Sequence, residues 1–179
     1  SYHGFKEDLS MDTLLCEDEF NFIAEPDKAF IRGFDNHMTR LGYTFGGKIG
    51  SGICWGRYML IYTKAGVISK KVYARIYIRD DSIALRLFLS KIDEHRAFIE
   101  QAPAHIKRVF EAGNYADCKH DRDEGNGNCR FRKIYTIDGR LIEKCNGLTF
   151  EFLNPRLEAL DDYLALFTEF YPSRKTRAV

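Results

Sequence analysis

A chain of 179 residues that is 45% hydrophobic and 14% aromatic can bury one substantial core and falls within the range of a single domain. Its 27 Lys and Arg against 26 Asp and Glu remove any global pull toward nucleic acid or an anionic membrane, so a basic site would have to be local. No apolar run approaches the roughly 18 residues of a membrane span, and the opening residues, with His3, Lys6, Glu7 and Asp8, do not read as a signal peptide. Five cysteines, an odd number, then point to reduced thiols or metal ligands rather than a disulfide framework, and the expectation is a cytoplasmic protein.

The first methionine is Met11, so residues 1–10 read as a cloning remnant or as the end of a longer parent protein. The expected organisation is an N-terminal extension over 1–19, a single α+β domain over 20–173 and a basic tail over 174–179. From Pro26 to Leu41 the apolar positions Phe30, Ile31, Phe34, Met38 and Leu41 keep to one helical face, with Pro26 suited to a first turn. Gly42 to Gly56 is glycine-rich and reads as looped with one short strand, and Tyr58 to Tyr62 reads as a strand. Lys71 to Arg79 and Ser82 to Leu89 flank Asp80 and Asp81 as the two arms of a hairpin.

Asp93 to Gln101 and Ala104 to Ala112 read as helices, the second preceded by Pro103 and stopped by Gly113. A polar loop, Asn114 to Asn128, leads to Phe131–Ile137, Arg140–Cys145 and Leu148–Leu153. Asp138-Gly139 and Asn146-Gly147 separate these segments and predict a three-stranded meander. Asn154 and Pro155 supply a cap and first position for a last helix, with Leu157, Leu160, Leu164, Phe167 and Tyr171 as its buried stripe. The fold class is α+β, with mainly antiparallel sheet packed by helices.

Cys118, His120, Cys129 and Cys145 form the main cluster of soft ligands, and two hairpins and a loop could gather them around zinc, which prefers tetrahedral sulfur and nitrogen. Asp121 is a substitute fourth ligand. The spacing is not that of paired Cys-x2-Cys knuckles, and three readings stay open: a Cys3His-type metal site, separate core or loop cysteines, and a redox thiol. A two-residue turn at Asp138-Gly139 places Arg132 opposite Cys145, which is expected on a buried face with Ile134, Leu141, Leu148, Phe150 and Phe152. Glu143, diagonal to Arg132, is positioned to pair with it.

The run NCRFRKIYTIDGRLIEKCNGLTFEF, residues 128–152, followed by the last helix, resembles an uncharacterised class of small bacterial α+β proteins in which a Cys-containing loop leads into a hairpin. The resemblance covers about a third of the chain and brings no activity with it. It implies that Cys118, Cys129 and Cys145 belong together. Where the pattern would open Cys-x2-Cys, this chain has Cys118 followed by Asp121, leaving His120 or Asp121 to complete a site.

In the hairpin turned by Asp80-Asp81, Tyr73, Arg75, Tyr77 and Arg79 share one face, and the turn puts Arg75 opposite Arg86. Two like charges flanked by rings suit an anionic or aromatic ligand, because Arg forks bind carboxylate or phosphate and rings stack on flat groups. The plain alternative is that the protein's own carboxylates cover this face. Trp55 lines a pocket or plugs the core. Gly42 and, after four intervening residues, Gly47-Lys48 nearly spell a phosphate loop, but Ile49 stands where Ser or Thr would hold magnesium. His37, His95 and His105 read as surface residues on helices, and no catalytic signature appears.

The functional expectation is a non-enzymatic module holding a small anionic or aromatic ligand at Tyr73, Arg75, Tyr77, Arg86 and Trp55. A zinc at Cys118, His120, Cys129 and Cys145 would brace it. The alternatives are a metal- or cysteine-dependent enzyme and, against the balanced charge, a nucleic-acid-binding domain using the same face.

Overall fold

The computed structural model describes residues 10–112, 132–145 and 149–173. Two compact units divide the chain: Ser1–Leu85 with Leu153–Leu160, and Arg86–Phe152 with Asp161–Val179. No helix among the described residues is long and apolar enough to cross a membrane.

The first unit opens with α1 (Met11–Leu15), whose cap is Ser10, its Oγ accepting from the Thr13 N–H at 3.3 Å. Met11, Leu14 and Leu15 are buried, so part of the stretch expected as an extension is packed structure. The periodic segment forms α2 (Glu25–Arg40), with Pro26 in its first turn and Phe30, Ile31, Phe34 and Met38 buried. The glycine-rich stretch holds two short strands, β1 (Tyr43–Thr44) and β2 (Gly50–Ser51), both antiparallel to β3 (Tyr58–Lys64). β3 pairs antiparallel with β4 (Ala74–Ile78), setting Tyr58 against Ile78, Leu60 against Ile76 and Tyr62 against Ala74.

Directly paired residues share a face, so these six point the same way. That is the face under α2: the Phe34 ring stands edge-on to Tyr62 at 5.2 Å. At the start of the next strand, β5 (Ile83–Phe88), the Arg79 N–H donates to the Ser82 carbonyl at 2.8 Å and closes the expected turn over Asp80-Asp81.

In the second unit, a 3-10 turn (Ile92–His95) leads into α3 (Arg96–Gln101), followed by α4 (Ala104–Glu111). β6 (Lys133–Ile137) and β7 (Arg140–Lys144) make the hairpin that Asp138-Gly139 predicts. The third strand, β8 (Thr149–Leu153), departs from expectation. The larger sheet runs β1-β3-β4-β5-β8, with β2 also on β3, whereas β6 and β7 form a sheet of two. The meander is therefore a hairpin followed by a strand of another sheet. β5 carries buried Leu85 and Leu87 on its core side, and β8 covers what would otherwise be an unpaired apolar edge.

The buried face of the hairpin is also the reverse of the expected one. Tyr135, Ile137, Ile142 and Lys144 are buried, while Ile134 and Leu141 are 48% and 66% exposed. Phe110 of α4 decides this: it stacks on Phe150 at 4.4 Å and its carbonyl accepts the Tyr135 hydroxyl proton, so the Tyr135 face turns inward. Asn154 does not cap the last helix; it ends β8 in a left-handed conformation (φ 49°), its N–H donating to the Ile83 carbonyl at 3.1 Å. A 3-10 turn (Leu157–Ala159) then leads into α5 (Leu160–Phe170), which buries Leu160, Leu164 and Phe167 as predicted and Tyr163 and Leu166 besides.

Candidate functional site

The first unit holds a cavity of about 650 Å³ between α1, α2 and the glycine turn after β1. Its polar lining includes Asp12 of α1, Arg32, Asp35, Asn36 and Thr39 of α2, and Thr44 of β1, with Phe45 beside them. The turn can approach α2 because Gly46 and Gly47 both adopt positive φ (79° and 77°), which is costly for any residue with a Cβ. The Thr44 hydroxyl accepts from the Gly46 N–H at 3.0 Å and holds the turn. A strand follows these glycines, not a helix, so this is no phosphate loop.

Charge within the cavity is unevenly matched. Arg32 reaches Asp12 at 3.3 Å and Glu25 at 3.9 Å, which accounts for its guanidinium. Asp35 sits on the edge of the buried stripe of α2, four residues after Ile31 and three before Met38. Its Oδ1 accepts the hydroxyl proton of fully buried Tyr62 at 3.0 Å, and no ion pair joins it among the described residues. Burial pushes the Asp35 carboxyl above the usual aspartate range; the Tyr62 hydrogen bond opposes this and the Asp12 charge adds to it. Burial and the same carboxylate push the Tyr62 hydroxyl well above its ordinary value, so Tyr62 stays a donor. Chemically, this is a half-buried acceptor, with one oxygen fixed and the group facing a polar space.

Sequence reasoning passed over Asp35. The available signal was a carboxylate three and four residues from buried apolar positions on a helix, where a solvated charge is out of place.

The expected sheet-face site is largely closed. Tyr77 is fully buried in a cluster with Met59 and Ala84, against which Ile61 packs. Tyr73 is also buried, edge-on to Tyr43 at 5.0 Å and with the Lys71 ammonium 4.8 Å above its ring. Arg75 Nη1 donates to the Tyr77 hydroxyl at 3.4 Å. Arg86 lies in the second unit, where it pairs with Glu151 of β8 at 3.7 Å. The rings are thus packed and the anion beside Arg86 is a carboxylate of the chain itself.

Trp55 is 42% exposed in a turn lining a separate cavity of about 390 Å³; its carbonyl accepts from Arg79 Nε at 3.1 Å and its ring lies 6.0 Å from that of Tyr77. That turn is tight at the backbone: a Cβ on Gly52 would lie 2.2 Å from the Gly56 carbonyl oxygen.

Of the proposed metal ligands, Cys118, His120 and Cys129, and the substitute Asp121, lie outside the described residues. Cys145 follows the end of β7 and is half-buried. Glu143 pairs with Arg132 at 2.8 Å, as the register predicts. Among the described residues no group of three or more His, Cys, Asp or Glu could hold a metal ion. His95 and His105, expected as plain surface residues, each meet a carboxylate of α5: His95 Nδ1 to Glu169 at 3.1 Å and His105 Nε2 to Asp162 at 2.8 Å.

Compared with protein-family models, curated proteins and solved structures, the chain matches none.

Proposed function

We propose that this protein is a non-enzymatic binding module for a small molecule bearing a protonated amine, held in the cleft between α1, α2 and the Gly46-Gly47 turn. The observation that carries the reading is Asp35, a half-buried carboxylate facing a cavity of about 650 Å³. Burial penalises its ionised form and the nearby Asp12 charge raises the penalty; a cationic donor entering the cleft relieves both. Asn36, Thr39 and Thr44 supply hydrogen-bonding groups around it, and Phe45 an apolar wall for the body of the ligand.

This moves the expected binding site from the Tyr73, Arg75, Tyr77 and Arg86 face to α2, and with it the favoured ligand from an anion to a cation. A thermal-shift screen of small amines, amino acids and polyamines is expected to find at least one that stabilises the protein and has no effect on the Asp35→Asn variant. Silence across the library would refute the assignment.

A zinc clip at Cys118, His120, Cys129 and Cys145 remains part of the proposal as a brace for the second unit, supported by the position of Cys145 outside the core. It predicts about one zinc per chain in protein purified under reducing conditions, lost on changing Cys145 to Ser. Metal-free protein would remove it.

A further inference from the structure

We propose that the β3–β4 loop is a docking site for an anionic lipid bilayer, with Val67 and Ile68 entering the headgroup layer and the surrounding Lys and Arg side chains resting on lipid phosphates and carboxylates. The inference concerns a surface of the first unit and does not rest on the amine cleft.

The sequence segregates its charge. From residue 36 to residue 79 the chain carries eight Lys or Arg and no Asp or Glu, although its overall net charge is only +1. The local basic site that a balanced chain requires is therefore in this stretch. Folding gathers several of its cations at one end of the sheet. β3 ends at Lys64 and β4 begins at Ala74, and the loop between them carries exposed Lys70 and Lys71. The Ala65 N–H donates to the Gly42 carbonyl at 2.9 Å, which ties the loop to the end of α2, where Arg40 is exposed. Among these cations Ile68 is fully exposed and Val67 53% exposed. The loop also holds its own shape: the Ser69 N–H donates to the Val67 carbonyl at 3.0 Å, and Ser69 Oγ accepts from the Lys71 N–H at 3.2 Å. Less ordering is then left to do on binding.

A single exposed aliphatic side chain is ordinary, but two adjacent ones flanked by cations match a lipid surface. Cations near an anionic leaflet and apolar groups in the headgroup layer each contribute modestly, and stable attachment takes both kinds together. Nucleic acid offers the same negative charge, yet the exposed part of the loop has no aromatic ring on which a base could stack. The opposite end of β3 gives the contrast. There Ser51 pairs with Tyr58, and the turn between them exposes Ile53 and Trp55. Acids are interspersed at that end, Arg57 pairing with Asp80 at 3.5 Å and the Tyr58 hydroxyl donating to Glu19 at 3.4 Å, so it lacks a uniform positive charge.

Flotation of the full chain with lipid vesicles tests this. Binding is expected to phosphatidylcholine vesicles containing about one third phosphatidylserine, and at least about tenfold weaker binding to pure phosphatidylcholine or at high salt. Ile68→Ser should weaken binding at least about threefold, by removing the apolar contact. Lys64→Gln combined with Lys70→Gln should weaken it at least about tenfold, at about fivefold per cation. All these side chains are exposed, so urea unfolding of the variants should match that of the wild type. No binding, or equal binding to both kinds of vesicle, would overturn the proposal. So would binding unaffected by Ile68→Ser, which would assign it to other cations such as the basic tail over 174–179. Retention of a single-stranded oligonucleotide by wild type and Ile68→Ser alike, without vesicle binding, would identify a nucleic-acid face and overturn it as well.

Discussion

Asp35 in the first unit and Lys144 in the second both lie in surroundings that disfavour their charge, and they differ in what lies beside them. Asp35 has one oxygen fixed by Tyr62 and a cavity in front of it. Lys144 has the Phe150 ring over its nitrogen and Tyr135 and Ile142 on its face. A disfavoured charge next to open space is relieved by a ligand of opposite sign; one enclosed by packed side chains is relieved by giving up its proton.

Substitutions at these two positions sharpen the contrast. The largest effect is expected from Asp35→Ala, which leaves the buried Tyr62 hydroxyl without its acceptor and costs about 1–3 kcal/mol in urea unfolding. Asp35→Asn keeps an acceptor oxygen and removes the charge, so at pH 7 it should be neutral to stabilising, by less than about 1 kcal/mol for a half-buried, partly screened group. The pH dependence has a definite sign. The folded carboxyl binds its proton more tightly than the unfolded chain does, so the ionised form costs stability above the raised folded value. That cost fades as pH falls through this value toward the ordinary 3.8, and the advantage of Asn over Asp should fade with it. An advantage that grows on acidification would contradict the burial argument.

Lys144→Met is the mirror case. The folded ammonium is held below its ordinary 10.5, so it costs stability at every pH below the folded value, and the cost disappears as pH rises through that value toward 10.5. The Met variant should be more stable at pH 7, on the order of 1 kcal/mol, and the gap should close under alkaline conditions. Equal stability at both pH values would mean that Lys144 is not confined as described. The smallest effect belongs to a side chain that has a partner: His105→Gln loses the 2.8 Å contact with Asp162 at a partly exposed site and should cost under about 1 kcal/mol.

Local chemistry in the sequence was sufficient for α2, for the turn at Asp80-Asp81 and for the hairpin at Asp138-Gly139, because Pro at a helix start, apolar period and turn dipeptides act over a few residues. It was insufficient wherever a distant element chose the outcome. Alternation in β6 and β7 defines two faces, both with apolar residues, and only Phe110 of α4 selects the one with Tyr135, Ile142 and Lys144. Asn146-Gly147 suggested a third hairpin strand, yet β8 joins β5. Tyr77 read as a ligand-facing ring because the pairing of β3, which brings Met59 against it, is a tertiary fact. The cleft was out of reach for the same reason: Asp12, Asp35 and Thr44 converge only when α1, α2 and β1 are in place.

The central claim is that Asp35 marks a ligand site, and isothermal titration of a screen-selected amine against wild-type protein and Asp35→Asn tests it most directly. Saturable binding to the wild type that weakens at least about tenfold in the folded Asn variant is the predicted result, in keeping with the loss of one charge-assisted hydrogen bond. Equal affinity for both proteins would place the ligand elsewhere and contradict the account.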